Sequence, residues 1–306
     1  MSNVNLVNEM VGDPSVFARD VYAREPFLRR GAVSNPEEFV SLQSIAALLK
    51  RGSVRRSDFF LARNGVRLQS DDFLRVMRVR GNSVADIADA SLVLREVNKG
   101  ATLVMSALDR HVDHVARAVE DLRALLRFHT EAMVFVTPPA NQAFPVHHDG
   151  TDTLILQTVG TKHWSVWSPP EDVAQTSEGY DESTLPEPMI DVVLEPGDVL
   201  HVPRRYPHRV RSVDNTSVHV TFASRPDDWA MVLLLGLEAA LARSRHAGDY
   251  VDRVPTSEEF AAELRSRVDE VLAGVQSGSD EFAADLARSL TNRSLNGGRG
   301  LGGLLD

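Results

Sequence analysis

Short runs of apolar residues, bounded by Pro and Gly, dominate the middle of the chain, and this pattern predicts β-strands. The predicted strands cover residues 100–105, 133–137, 153–158, 163–167, 191–194, 199–202 and 217–223. Many short strands separated by tight turns are typical of a closed or double-sheet β architecture. We therefore predict a mainly β fold with flanking helices, built on a jelly-roll (double-stranded β-helix) core.

Apolar residues recur at helical spacing in two segments before this core. They predict a helix over residues 36–50, capped near Asn35, and another over residues 109–128. Between them, Asn64 and Gly65 separate two apolar runs, which is the pattern of a hairpin with a tight type I′ turn. The apolar stretch 84–97 is ambiguous.

Helical spacing replaces the strand pattern after Arg225. The predicted helices cover residues 227–245, 256–275 and 280–290, and the second is opened by a capping box of Thr256 with Glu259. The glycine-rich residues 292–306 predict a flexible tail.

These patterns divide the chain into three predicted parts. Residues 1–225 form one large domain, in which a mixed preamble over 1–130 precedes a jelly-roll core over 131–225. Residues 226–291 form a helical region that would suit a homodimer, and residues 292–306 form the tail.

Composition limits the classes of function. The 306-residue chain has a net charge of -10, which argues against direct nucleic-acid binding because phosphate recognition needs clustered cations. Arg51, Arg55 and Arg56 form only a small basic patch. The absence of cysteine excludes disulfides and thiolate chemistry. Without a signal-like start or an apolar run that could span a bilayer, we expect a cytoplasmic protein.

Candidate metal ligands lie in the stretch 138–167. On an extended chain residues i and i+2 project to one side, so His147 and Asp149 can reach one point while His148 faces away. His208, which follows the predicted strand 199–202, is the candidate third ligand. Two histidines and one carboxylate, with the other side of the metal open, are expected of non-haem Fe(II) oxygenases.

Several segments together resemble the JmjC (cupin-like) oxygenase family, in the branch of the ribosomal oxygenases and related protein hydroxylases. They read LRRGA, DFFLARNG, GATLVMSAL, TPPANQAFPVHHDGTDTLILQTVGTKHWSVW, EPGDVLHVPRRYPHRV and SVHVTFASR, between about Pro26 and Arg225. The resemblance implies that His147, Asp149 and His208 bind Fe(II) and that 2-oxoglutarate and O2 are co-substrates.

Lys162 matches the family's basic residue for the distal carboxylate of 2-oxoglutarate. A buried dicarboxylate needs such a cation, and hydroxyl donors complete its hydrogen bonds. Thr221 and Thr153 are the expected hydroxyl partners. His219 alternates with Thr221 onto the same side and is expected to support the site from behind or to contact the substrate.

The implied activity is hydroxylation of a C–H bond, coupled to oxidative decarboxylation of 2-oxoglutarate. We expect the substrate to be an amino-acid side chain of a protein or peptide. A small molecule, such as a free amino acid or a natural-product intermediate, is an alternative, and a non-catalytic binding module is another. A long open groove would favour a peptide. Met133 and Phe135 stand where many relatives carry Asn-x-Tyr, which removes two polar groups from the expected cavity wall.

Overall fold

The computed structural model describes residues 6–174, 178–243 and 257–276, together with Arg288. Its contacts divide the chain into two compact units, one of Met1–Leu126 with Thr130–Arg225 and the other of Arg127–His129 with Pro226–Asp306. The predicted capping residue Thr256, the predicted helix 280–290 except Arg288, and the predicted tail lie outside the described residues. The predicted domain boundaries stay predictions.

The described α-helices lie before, between and after the strands. They are α1 (Leu6–Val11), α2 (Pro14–Val16), α3 (Pro36–Phe39), α4 (Leu42–Arg51), α5 (Ala90–Asn98), α6 (Asp113–Leu126), α7 (Trp229–Arg243) and α8 (Ser257–Gln276). Short 3₁₀ turns cover Arg56–Asp58, Ser70–Phe73, Leu108–Arg110 and Glu182–Thr184, and a π-helical turn covers Phe17–Val21.

The described strands fill most of the first unit. They are β1 (Phe27–Arg29), β2 (Phe59–Arg63), β3 (Val66–Arg67), β4 (Leu74–Val79), β5 (Asn82–Ala88), β6 (Thr102–Met105), β7 (His129–Thr137), β8 (His147–His148), β9 (Asp152–Val159), β10 (Lys162–Val166), β11 (Glu178–Gly179), β12 (Ile190–Leu194), β13 (Val199–Val202), β14 (His208–Ser212) and β15 (Ser217–Arg225).

Two antiparallel sheets form the core of this unit. The larger has the order β1-β13-β9-β15-β7-β6-β2-β3, and the smaller has the order β11-β8-β14-β10-β12. Buried apolar side chains from both sheets pack together, among them Ile155 and Leu200 from the larger sheet and Trp164 and Leu194 from the smaller. Each such side chain stabilises the fold by about 1.5–3 kcal/mol through burial. The predicted mainly β fold with flanking helices is confirmed.

The predicted Asn-Gly hairpin is also confirmed. Asn64 and Gly65 have φ angles of 50° and 83°, as a type I′ turn requires, and they join β2 to β3. The Gly65 N–H donates to the carbonyl of Ala143 at 2.8 Å. The hairpin is therefore attached to the segment that leads to His147.

The predicted single helix over residues 36–50 is wrong. It consists of α3 and α4, because Val40 is extended with φ −148° and its buried side chain interrupts the helix. Ser41 then caps α4 by accepting a hydrogen bond from the Ser44 N–H at 3.2 Å. The local capping chemistry of Ser41 outweighs the helical spacing of the apolar residues.

Other predicted elements differ mainly in their bounds. The predicted helix 109–128 begins with a 3₁₀ turn, and its α-helical part is α6. The ambiguous stretch 84–97 is divided between β5 and α5. Among the strands, β1, β4, β8, β11 and β14 were not predicted.

The second unit contains α7 and α8, which pack against each other. Large apolar side chains of α7 are exposed, with Trp229 at 78%. No helix among the described residues is long and apolar enough to cross a membrane. The predicted homodimer through these helices stays a prediction.

Candidate active site

A cavity of about 770 Å³ lies between the two sheets of the first unit. The smaller sheet supplies one wall, with His147, Lys162, Trp164, His208 and Val210. The larger sheet supplies the other wall, with Phe60, Arg67, Val104, Met133, Phe135, Thr137, Thr153, Ile155, His219, Thr221 and Arg225. All the residues predicted for the site therefore face one cavity.

The three predicted metal ligands meet at one end of this cavity. His147 on β8 and His208 on β14 are direct partners across the strand pair, and Asp149 follows β8. The carboxylate of Asp149 lies 3.8 Å from His147 Nε2 and 3.7 Å from His208 Nε2. One potential ligand atom from each residue lies within 4.8 Å of the others, so a single ion can contact all three.

Backbone carbonyls set the tautomers of both histidines. His147 Nδ1 lies 2.9 Å from the Pro145 carbonyl, and His208 Nδ1 lies 3.1 Å from the Tyr206 carbonyl. Because a carbonyl can only accept, each Nδ1 carries the proton and each Nε2 keeps a free lone pair. Burial, followed by the neighbouring His147, lowers the pKa of His208 to about 4, so this imidazole is neutral at pH 7 as a ligand must be.

Two segments that carry the ligands are joined by hydrogen bonds. The Arg205 N–H donates to the Asp149 carbonyl at 2.9 Å. The Arg204 N–H and guanidinium donate to the buried carboxylate of Asp152 at 3.0 and 2.7 Å. The turn after β8 is therefore bound to the segment that leads into His208, and this fixes the spacing of the ligands.

His148 faces away from the ligand triad, as expected. It is fully buried, and its Nδ1 lies 2.7 Å from the hydroxyl of Tyr180. The alternation along β8 thus separates a metal-facing histidine from one that joins β8 to the segment after β11.

Lys162 lies deep in the cavity and is only 2% exposed. Its Nζ donates to Thr137 Oγ1 at 2.8 Å and lies 3.1 Å from His219 Nδ1. It forms no ion pair with any carboxylate in the described part of the chain. Burial lowers the pKa of Lys162 to about 7, and a buried cation without an anion is a site for an anionic ligand.

The two predicted threonines differ in their contacts. Thr153 donates its hydroxyl proton to the Val202 carbonyl at 3.0 Å, so only its oxygen can serve a ligand, as an acceptor. The hydroxyl of Thr221 makes no hydrogen bond within the described residues. Thr221 is therefore the better placed of the two to donate to a bound carboxylate.

His219 contacts Lys162 rather than the metal ligands. Its ring stacks on Phe135 with centroids 4.7 Å apart and an interplanar angle of 8°. Burial, followed by the charge of Lys162, holds the pKa of His219 well below its usual range. The neutral ring can accept a hydrogen bond from the lysine and hold its ammonium group in place.

Sequence reasoning missed several residues that line the cavity. Thr137, Phe60, Arg67 and Trp164 were not singled out as site residues. Trp164 is buried, but its ring also stacks on His208 at 5.8 Å. The alternation of Met133, Phe135 and Thr137 along β7 is the signal that could have identified Thr137.

The larger sheet gives the cavity the form of a trough. Phe60 on β2, Val104 on β6 and Phe135 on β7 are in register and form its apolar floor. Lining residues come from six neighbouring strands, β9-β15-β7-β6-β2-β3. At about 4.8 Å between strands the trough extends over about 24 Å, which is longer than a free amino acid.

The chain is similar in sequence to a known family and to several known proteins. Residues 107–232 match the family model of the JmjC domain. The chain is 36% identical over 121 residues to the bifunctional lysine-specific demethylase and histidyl-hydroxylase NO66 of Aedes aegypti, covering 38% of this chain and 19% of that protein. It is 30% identical over 238 residues to ribosomal oxygenase 1 of Gallus gallus, covering 74% of this chain and 38% of that protein. The chain thus spans less than half the length of either relative.

Solved structures support the fold. An X-ray structure of Escherichia coli YcfD superposes with a TM-score of 0.55 at 18% identity, covering 84% of this chain and 67% of that chain. The ribosomal oxygenase YcfD in complex with cobalt and 2-oxoglutarate gives a TM-score of 0.54 at 18% identity, covering 90% of this chain and 69% of that chain. The predicted jelly-roll core is confirmed by this likeness.

Proposed function

Because the chain carries a JmjC domain and is related to the ribosomal oxygenases, we propose that it is an Fe(II)- and 2-oxoglutarate-dependent hydroxylase acting on an amino-acid side chain of a protein or peptide. The observation that carries this proposal is the pairing, in one cavity, of a two-histidine, one-carboxylate triad with a buried lysine that lacks an anion. The triad suits iron, and the lysine suits the distal carboxylate of 2-oxoglutarate.

The donor set fits a non-haem iron ion. His147, Asp149 and His208 would hold it through two Nε2 atoms and one carboxylate. When bound, iron with 2-oxoglutarate and O2 supplies the oxidising power for C–H hydroxylation, with succinate and carbon dioxide as by-products.

The residues of the chain position these partners. Lys162 would neutralise the distal carboxylate, and Thr137 and His219 hold the lysine in place. Thr221 would donate its hydroxyl proton to the same carboxylate, and Thr153 would offer an acceptor nearby. The aromatic ring of Phe135 stacks on His219 and supports it from the side of the floor.

The shape of the trough favours a protein or peptide over a small molecule. An extended peptide segment of several residues is needed to fill a trough of about 24 Å. The related proteins include a histidyl-hydroxylase and a ribosomal oxygenase by name, which supports a protein substrate in general. We propose a cytoplasmic location and a homodimer through the C-terminal helices on the sequence alone.

The test is an anaerobic titration of the metal-free full chain with Fe(II) and 2-oxoglutarate, followed by visible absorption. We expect a metal-to-ligand charge-transfer band only when both components are present. Asp149→Ala should abolish the band, whereas Asp172→Ala, which removes an exposed carboxylate outside the cavity, should retain it.

The absence of a band in the parent chain would contradict the hydroxylase and favour a non-catalytic binding module. If the band is present, mass spectrometry of peptides and of free amino acids incubated with the loaded protein separates the two substrate classes. A mass gain of one oxygen on peptides supports the proposal, and a gain only on small molecules favours the alternative.

A further inference from the structure

Two arginines line the trough outside the inner site. Arg67 on β3 pairs with Ala62 on β2, so it faces the same side of the sheet as Phe60, and its guanidinium lies 3.6 Å above the Phe60 ring. Arg225 lies on the same face of β15 as His219 and Thr221. Both guanidinium groups are therefore presented to whatever occupies the trough.

Neither arginine is neutralised within the described part of the chain. Arg67 and Arg225 form no ion pair there, and both are exposed. Glu178 is the only carboxylate besides Asp149 among the described lining residues. The charges of a bound divalent metal and a dianionic co-substrate cancel each other. The charges of Asp149 and Lys162 also cancel each other. The two arginines then outweigh Glu178, and the trough is positive in a chain whose net charge is -10.

Arg67 is also held in a defined position. Its guanidinium stacks on Phe60, the Phe60 ring lies 6.3 Å from Phe144, and the Phe144 ring lies 5.6 Å from His147. A row of aromatic rings thus connects the rim to a metal ligand. These steps put the guanidinium within about 16 Å of the His147 ring, a distance that about five residues of extended chain span.

From this geometry we infer that the outer trough is a subsite for an acidic side chain of the substrate, bound by Arg67 within about five residues of the hydroxylated position. This inference rests on the proposed function, because a hydroxylated position exists only if the protein is a hydroxylase. A guanidinium matches a carboxylate by two parallel hydrogen bonds, and stacking on Phe60 orients the fork before binding. Arg225 adds to the positive field at the inner end.

The experiment measures binding without turnover. The full chain, loaded with Co(II) and 2-oxoglutarate under nitrogen, is immobilised and exposed to a randomised peptide library long enough to span the trough. We expect Asp and Glu to be enriched over Asn and Gln in the retained peptides by about fivefold. Arg67→Glu should reverse the preference toward Lys and Arg, and Arg67→Gln should remove it.

The matched control is Arg78→Glu, which makes the same change of charge at an exposed arginine on β4 outside the cavity. It should leave the acidic preference intact. Equal loss in both variants would show a general effect of net charge and would overturn the subsite. The subsite would also be overturned if the parent chain retained peptides without enrichment of Asp and Glu, or if that enrichment survived Arg67→Glu.

This test is separable from that of the proposed function. If the charge-transfer band forms while the library shows no acidic preference, the subsite is wrong and the hydroxylase stands. If the band is absent while Arg67→Glu still reverses the preference, the hydroxylase is wrong and the peptide subsite stands.

Discussion

At the inner end of the trough the lysine and the histidines are buried or half-buried and held by defined partners, whereas at the outer end the guanidinium of Arg67 is exposed. Lys162 is fixed by Thr137 and His219, and the histidine ligands are fixed by backbone carbonyls. At the outer end, Arg67 makes only a stacking contact with Phe60.

The difference separates two tasks. Groups that bind a metal and a co-substrate must be placed before binding, because reorganisation in a buried site is costly. Groups that would select a peptide can stay exposed, because their polar contacts form with the substrate. Substitutions at the inner end should therefore affect every reaction of the protein, and substitutions at the outer end only the choice of substrate.

The largest effect is expected from His208→Ala, which removes a ligand from the inner end. Loss of groups that only support a ligand costs 10- to 100-fold in metal affinity, so loss of the ligand itself should exceed about a hundredfold. Iron-dependent turnover should vanish while circular dichroism shows a retained fold. The matched control is His163→Ala, a histidine of β10 that does not line the cavity. Turnover unchanged by His208→Ala would contradict the triad.

Lys162→Ala should raise the concentration of 2-oxoglutarate needed for half-saturation by about a hundredfold to several thousandfold, since losing one partner of a buried charge pair costs about 3–5 kcal/mol. Metal binding should change little, because Lys162 does not contact the ligands. Titration of the charge-transfer band measures both constants. An exposed lysine, Lys50, supplies the control substitution Lys50→Ala. A weaker metal affinity with normal 2-oxoglutarate affinity would refute the assigned role.

A pH dependence follows from the burial of Lys162, which lowers its pKa from 10.5 to about 7. The dicarboxylate binds the charged lysine, so binding takes up a proton at any pH above this pKa. Affinity should be full below about pH 7 and fall by about tenfold for each further unit of rising pH. Band titrations across this range test it. In Lys162→Arg the charge cannot be lost, so the slope should disappear. A flat profile in the parent chain would count against a lysine–carboxylate pair.

The smallest effect is expected from Phe60→Ala at the outer end. Loss of this part of the apolar floor should weaken retention of peptides by about fivefold, or roughly 1 kcal/mol, and leave the charge-transfer band unchanged. Fluorescence polarisation of a retained peptide measures the change. Met189→Ala removes an exposed apolar side chain outside the cavity and should have no effect. An altered band would mean that the two ends are not independent.

The sequence predicts the inner end better than the outer end for a physical reason. His147 and Asp149 are two residues apart on an extended segment, so the alternation of side chains brings them together without knowledge of the fold. His208 was proposed from a second segment, after the predicted strand 199–202, and the role of Lys162 came from the resemblance to the JmjC family. Local geometry therefore accounts for the first two ligands, and the family's motifs account for Lys162.

The outer end depends on pairings between distant segments. Phe60, Val104 and Phe135 lie next to one another only because β2, β6 and β7 are in register. No local pattern states that register, so the trough could not be predicted. The break between α3 and α4 was missed although its cause is local. The helical spacing of apolar residues continues through Ser41, whereas the side chain of Ser41 caps a new helix.

The position of the triad gives a bound metal ion a structural role as well. β8 has only two residues, and His147 within it faces His208 on β14, about 60 positions further along the chain. An ion bound to both histidines acts as a reversible cross-link that closes this long loop and fastens a very short strand to its neighbour. The ion is then a structural brace for this short strand as well as a reagent.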